Sequence, residues 1–583
     1  MTIQNVRVAT RKNFITKNGA RIILFIFFLI FSSWLMFQTF SYDAKTHEIV
    51  MAFKIWSDFG AHIPLIRSFS MGDNWTRLIH FQAIQYPVFA GPPIRYHFLF
   101  DMLVGLLEKV GVRIDWALNI PSIAGFFGLI VLIYIVATEL FQSQTVGLLS
   151  VIFFLFNGSL SFTRFFTSHP LSFKTLSDIG SVREFSAFAP WGSGEIAAFW
   201  NLNIYTNQRQ LAPAFAVILL FILTLVRARH LTIKEQLQRG IIWGLVFAVF
   251  PYFHQPSLLI IAVFLLSYFL LYPAKRLFIF ITGVVSGVLI IPQLLLTPSE
   301  ARAVEWYPGF IIHNDLIKQP ILQELLHLAS FWWQNFGLHS ILILIGFFLI
   351  PKRARNAILP IIPVFIIAIL FKFSIEASAN HKFFNFVLVL GQMISAALIV
   401  RIMDIRVPSK SLVSRLTEAI TKGVVCVALM GFLTLSGVID FFVIANDTHG
   451  RISDIPNNEI ATWIAKNTPP SAIFLNSSYL YHPASIAGRN IFLGWPYFAW
   501  SAGYKENRMP VMNVMYETRN SVERCNLLKK YNITYTTVED VKNDVNLPDI
   551  DLSYFLKTYT PIFVSASRRY AIFTTDALCP PAK

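Results

Sequence analysis

The chain has 583 residues, 55% of them hydrophobic and only 14% charged, with mean hydropathy +0.57. Apolar runs of about 18 residues or more recur along it, which excludes a soluble globular domain and indicates a multi-pass helical membrane protein. The net charge of +16 does not imply nucleic acid, because the basic residues cluster in short segments between apolar runs, the positive-inside pattern.

The basic segment 1–21, MTIQNVRVATRKNFITKNGAR, is read as a cytoplasmic N-terminus. The run 22–40 is long enough to span, and no small-residue cleavage site follows it, so it is read as an uncleaved first helix. A large first external loop, 41–115, comes next. Further spans are predicted near 116–138, 144–161, 209–227, 240–253, 257–272, 277–296, 338–351, 356–374, 384–401 and 423–444, about eleven in all with the first.

The stretch 96–112 is apolar yet carries Asp101, Glu108 and Lys109. Counted as a span, it would put 226–239 outside the cell. Treated as an interfacial helix, it leaves VRARH, YPAKR, PKRAR and RIMDIRVPSK in the cytoplasm, and that parity is preferred. The external side then holds 41–115, 162–208, the turn HQP, 297–337, 375–383 and the tail.

In the tail, 445–583, polar residues dominate, and EIATWIAKNTPPSAIFL reads as an amphipathic helix, a Pro-Pro turn and a short strand. ERCNLLKKYNITYTTVED repeats helix then strand, so a small extracytoplasmic α/β domain is expected there. Cys426 lies in an apolar run; whether Cys525 and Cys579 pair is left open by the sequence. The chain shows no internal repeat, GxxxxGK[ST] phosphate loop, HExxH zinc helix, GxSxG elbow or CxxC pair.

The most informative segment is WSDFGAHIPLIRSFSMGDNW, which follows the first span and holds Asp58, His62, Arg67 and Asp73. Asp58 and His62 are spaced i,i+4 and share a face if the segment is helical, with Pro64 expected to bend or end that helix. A carboxylate at the membrane interface with a partner one turn away can orient and deprotonate a hydroxyl. The plainer alternative is a solvated interfacial cap with an incidental ion pair.

The order of a first span, an outside Asp, GDNW fourteen residues later, PVFAGPPIRYHFLFDML and a helix near NIPSIAGFFGLIVLIY resembles the GT-C superfamily of lipid-linked-sugar glycosyltransferases. It is similar to the protein O-mannosyltransferases and the aminoarabinose transferases, in which an Asp of the first external loop precedes a Gly-Asp-Trp-like turn and a Pro-Pro-x-x-Tyr interfacial helix. AGPPIRYHF also looks like prokaryotic multi-pass proteins with an Ala-Gly-x4-Tyr-Tyr-Tyr pattern. The resemblance covers about 22–230, and the later helices resemble the superfamily by architecture alone. It places the loop Asp on Asp58, with Asp43 in SYDAKTHE as the rival; where the family often has Asp-Glu, Phe59 follows here. WIAKNTPPSAIFL resembles the external domains of oligosaccharyltransferases, but SSYLYHP stands where their Trp-Trp-Asp-Tyr-Gly signature would be, which argues against Asn glycosylation.

The resemblance implies a GT-C-like, all-α polytopic fold in a prokaryotic cytoplasmic membrane. It also implies transfer of a sugar from a polyprenyl-phosphate donor to an extracytoplasmic glycan, lipid or protein acceptor. Asp58 would be the general base, with inversion at the anomeric carbon. A polyprenyl-phosphate leaving group needs positive charge and hydrogen-bond donors more than a strong acid. The outward candidates are Asn207 and Arg209 in NLNIYTNQRQLAP, His381 and Lys382 in SIEASANHKFFNF, His254 in PYFHQPS, and His62, Asp73 and Tyr96 around the loop motif. Snorkelling at helix ends is the competing account of Arg209 and Lys382, and local backbone satisfaction that of His254. Glu305 and His313 are weaker candidates. No cofactor is predicted; a divalent ion stays open because some members of the superfamily use one, although no compact carboxylate cluster argues for it. A lipid or polysaccharide transporter and a non-catalytic glycan-assembly protein are the other classes; the first should show paired ionisable groups deep in its spans and internal repeats.

Overall fold

The computed structural model describes residues 3–187, 197–228, 230–296, 304–312, 320–404, 412–542 and 547–580. Among them, six helices are long and apolar enough to cross a membrane: Gly19–Thr39, Ile114–Phe141, Pro273–Gln293, Lys352–Leu370, His381–Asp404 and Leu416–Ala445. A seventh span is formed if Ile321–Phe336 and Leu338–Leu349, bent by 100° at Gly337, count as one. The sequence predicts about eleven. The difference lies in segments such as Gln144–Leu155, Leu211–Arg227 and Gln255–Leu271, apolar helices of 10–17 residues, shorter than the about 20 that a bilayer crossing takes.

His381–Asp404 is the central helix, with 89% of its most apolar window buried, whereas Gly19–Thr39 is 22% buried and presents Ile22, Ile23, Phe27 and Ile30 outward. Close packing explains the centre: Ile343 fits against Gly391, and Ile394 against Gly346. Gln392 donates to the Phe153 carbonyl and to Asn157 Oδ1, both at 2.9 Å, tying the centre to the Gln144–Leu155 helix and the loop that follows. The N-terminal end of this helix presents His381 and Lys382.

The 96–112 stretch forms an eleven-residue helix, Leu99–Lys109, too short to cross a bilayer. It packs on Trp56–Ser70, and Gly105 lets the backbones approach: a Cβ there would lie 2.5 Å from the Ile66 carbonyl oxygen. Trp56–Ser70 runs through Pro64, so of the two expected effects the proline does not end the helix. Proline removes one intrahelical donor, and burial of Phe59, Ile63, Ile66 and Phe69 on both sides of it holds the helix together.

The tail folds into a five-stranded mixed sheet ordered Asn490–Ile491, Ile473–Leu475, Tyr535–Glu539, Tyr570–Thr574, Phe563–Val564, with helices packed around it. Cys525 and Cys579 form a disulfide. A second sheet joins the first loop to the start of the tail: the hairpin Phe40–Asp43 and Glu48–Ala52 receives His449–Ser453 antiparallel, with Ile49 opposite Ile452. One hydrophobic core runs through both parts, from Phe40, Phe59 and Val104 to Phe474, Met512 and Phe573. The change of element near residue 445 is therefore no boundary for packing: the first loop and the tail form one body above the helices.

Candidate functional site: a chamber between the helices and the loop–tail body

Where that body meets the helices there is a cavity of about 700 Å³. Asp58, His62, Tyr96, Asn207, His381 and Lys382 line it, together with Arg95, Glu376, Tyr497 and the tail segment around Trp495–Gly503. Residues more than 300 positions apart thus share one surface. The lining also includes apolar side chains, Leu258, Leu259, Phe373 and Phe383, so polar and apolar groups share the space.

Asp58 and His62 lie on one face of Trp56–Ser70, as their spacing predicts. Asp58 is half-buried; its carboxyl borders the chamber while protein surrounds it, and burial pushes its pKa up. His62 and Lys382 pull in the opposite direction and Glu376 adds to the rise. His62 bonds through Nδ1 to Asp101 Oδ1 at 3.0 Å and Oδ2 at 3.2 Å. Its pKa is raised: burial alone would lower it, and the Asp101 carboxylate outweighs that.

Lys382 is 9% exposed and lines the chamber; among the described residues it makes no hydrogen bond or close ion pair, with Glu376 and Asp58 only near enough to attract it. A nearly buried ammonium that two carboxylates attract but do not hydrogen-bond is incompletely compensated, which is costly. Asn207 Oδ1 and Gln208 Oε1 are buried acceptors without a partner among the described residues, on side chains that line the same space. The Tyr96 hydroxyl accepts from Gln210 at 3.2 Å, its ring stacks on His97, and His381 Nδ1 is bonded to Asn385 at 2.9 Å.

Three sequence candidates stand elsewhere. Arg209 does not line the chamber: its guanidinium, 3% exposed, bonds the Thr206 carbonyl at 2.7 Å and Thr39 Oγ1 at 2.8 Å and contacts Met36, fastening the first helix. His254 is fully buried behind the wall, with Nδ1 on Ser257 Oγ at 2.7 Å and its ring against His97. Asp73 pairs with Arg77 at 2.8 Å away from the chamber. In GDNW it is Asn74 that is buried, bonded to Ser68, Gln85 and the Gln85 backbone N–H, and a Cβ at Gly72 would collide with the Gly488 carbonyl, so the motif docks the tail.

Glu305 pairs with Lys372 at 3.7 Å, and His313 lies outside the described residues. The rival Asp43 sits on the hairpin edge against Arg451 at 3.0 Å. No group of three or more His, Cys, Asp or Glu is placed to hold a metal ion among the described residues.

Sequence reasoning missed the contributions of Arg95, Glu376 and the tail. Arg95 donates to the Gly503 carbonyl at 2.5 Å and lies over the Tyr504 ring, bracing the roof of the chamber. The signal for Glu376 was its place in SIEASANHK, six residues before Lys382. The roof had none, since only tertiary folding brings GWPYFAW over Asp58.

No family model and no curated protein matches the sequence. Among solved structures, the chain is similar to the oligosaccharyltransferase AglB from Archaeoglobus fulgidus in complex with an inhibitory peptide and a dolichol-phosphate. Identity is 12% and the TM-score 0.45, over 95% of this chain and 74% of that one. It is also similar to ArnT from Cupriavidus metallidurans bound to undecaprenyl phosphate, at 10% identity and TM-score 0.47, over 97% and 99% of the two chains. ArnT in the apo state gives 11% identity and TM-score 0.49, over 97% and 100%.

Proposed function

We propose that this protein is a membrane glycosyltransferase that moves a sugar from a polyprenyl-phosphate donor to a hydroxyl-bearing acceptor. The carrying observation is the chamber itself, with a carboxylate, Asp58, and an ammonium without a hydrogen-bond partner among the described residues, Lys382, in one lining that also holds apolar side chains. Asp58 takes the proton from the acceptor hydroxyl while that oxygen attacks the anomeric carbon. The bond from that carbon to the phosphate oxygen breaks, and polyprenyl phosphate leaves with the electron pair. Direct displacement inverts the anomeric configuration.

The departing phosphate gains negative charge, and Lys382 is the cation available to it; His381 stands beside it. Asn207 and Gln208 line the same space with amide side chains, the groups that would meet sugar hydroxyls. The Cys525–Cys579 disulfide supports an extracytoplasmic body, since such bonds persist in oxidising compartments. That orientation puts the chamber where lipid-linked donors, rather than nucleotide sugars, are the activated species.

The experiment is a structure of the protein in nanodiscs containing polyprenyl phosphate, paired with transfer assays on polyprenyl-phosphate sugars. Density for the lipid phosphate in hydrogen-bond reach of Lys382 is expected. A phosphate bound elsewhere, with the chamber empty, would overturn the reading.

A further inference from the structure

Asp101 does not line the chamber, yet it is bound to a residue that does. It sits on Leu99–Lys109, 3% exposed, and among the described residues His62 is its hydrogen-bond and ion-pair partner. A carboxylate only accepts, so the nitrogen between its two oxygens, His62 Nδ1, carries a proton. A carboxylate buried this deeply is costly unless its partner is charged, which favours an imidazolium with protons on both nitrogens.

One helical turn from His62, on the same face, is Asp58. We propose that Asp101 is a positioning residue for the reaction proposed above: by holding His62 as a cation beside Asp58, it keeps the base ionised inside a chamber that would otherwise protonate it. Alternating charge through Asp58, His62 and Asp101 lets two carboxylates share one buried cation without lying side by side. The direction of each group's titration agrees, since Asp101 and Asp58 both favour the charged form of His62, and His62 favours the charged form of Asp58. Other elements oppose or modulate this. Arg209 disfavours the imidazolium, Glu376 disfavours ionised Asp58, and Lys382 favours it. Burial, reinforced by Asp101 and Asp58, holds the Tyr86 and Tyr96 hydroxyls neutral, and burial does the same for His97.

The sign of the effect follows. Removing the Asp101 charge lowers the pKa of His62; neutral His62 no longer stabilises the Asp58 carboxylate, and the pKa of Asp58 rises. Asp101→Asn should therefore move the acid limb of the kcat–pH profile to higher pH by about 0.5–1 unit, with activity recovered on the alkaline side. Asp101→Glu, which keeps the charge, should stay near the wild-type limb, and His62→Gln should shift it in the same direction as Asp101→Asn.

The direct test is NMR of ¹⁵N-histidine-labelled protein in nanodiscs, with the His62 resonance assigned by its loss in His62→Gln. In the wild type, His62 is expected to titrate above the ordinary histidine range, and in Asp101→Asn clearly lower. An unchanged His62 titration in Asp101→Asn, or uniformly reduced transfer with an unmoved acid limb, would show that Asp101 only braces the fold. If Asp101→Asn does not fold, an unmoved limb in His62→Gln overturns the inference. Absence of transfer with every lipid-linked donor would instead defeat the proposed function, and the His62 titration would still decide whether Asp101 holds the charge.

Discussion

The two ends of the Trp56–Ser70 helix both carry charged or titratable side chains and treat them differently. At the C-terminal end, Arg67 is buried between Glu108 at 3.2 Å and Asp454 at 2.9 Å, with Glu108 also accepting from Ser70 at 2.6 Å. At the N-terminal end, Asp58 and His62 border a cavity, and the nearest unspent cation, Lys382, comes from another part of the chain. A charge matched by its own protein joins elements; a charge left short of partners beside a cavity is available for chemistry. Neither end's local sequence shows which is matched, so the distinction lies in where the fold brings Asp454, 387 positions from Arg67.

The most severe way to break this comparison is Asp58→Asn. It keeps the shape and removes the base, so kcat should fall by about a hundred- to ten-thousand-fold while expression and melting temperature stay near wild type. Transfer kinetics together with thermal melts in detergent check it. Retained transfer would leave the chamber without a base.

Arg67→Ala should do the reverse. Truncation strands Glu108 and Asp454 in the core between the loop and the tail, and burial already pushes the Glu108 carboxyl up. Loss of one partner from a buried ionic group costs about 3–5 kcal/mol. Denaturation and proteolysis should show a loosened tail, and any surviving folded fraction should retain the wild-type pH profile. A large kcat defect in fully stable protein would put Arg67 in the chemistry.

Much of the chamber is legible in local spacing. The i,i+4 pair Asp58 and His62 can be read from the sequence because a helix turn is a local fact, and His381 and Lys382 because they head a long apolar run. Arg209 illustrates the limit: a cation at a span's mouth looks the same whether it meets a ligand or, as here, Thr39 at the end of the first helix. Asp101 and the roof residues Trp495 and Tyr497 depend on partners distant in the chain, and no periodicity encodes them. The shared core hid for the same reason: each segment shows its own apolar face, and which face covers which is settled by the fold.

Lys382→Ala is a milder test. Removing the cation should weaken use of the lipid donor by about ten- to a hundredfold, the worth of one charge-assisted contact of about 1.5–3 kcal/mol. Lys382→Arg should retain more activity, with altered geometry. The effect should appear in the dependence on polyprenyl-phosphate sugar. Snorkelling predicts an effect on stability alone, so unchanged donor dependence in Lys382→Ala would move the phosphate site elsewhere.

The smallest effect expected is that of Asp43→Asn, and it sharpens the comparison by taking a carboxylate matched at the surface. Asp43 accepts from Arg451 at 3.0 Å and from the Lys45 backbone N–H at 3.0 Å, and these hold its pKa at about 2. A carboxyl depressed in this way contributes its stabilisation above the ordinary carboxylate range and loses it as pH falls towards about 2. At neutral pH the substitution should lower the melting temperature slightly, since exposed pairs contribute little. The gap to wild type should close on acidification from about pH 4, where the carboxylate of the unfolded chain takes up its proton, towards about 2, where that of the folded protein does. Transfer kinetics and the acid limb of kcat should not move, because Asp43 faces Arg451 on the hairpin edge and not the chamber. If Asp43→Asn abolished transfer and Asp58→Asn did not, the base would have to be sought at the hairpin, and the match between Asp58 and the loop motif would have to be abandoned.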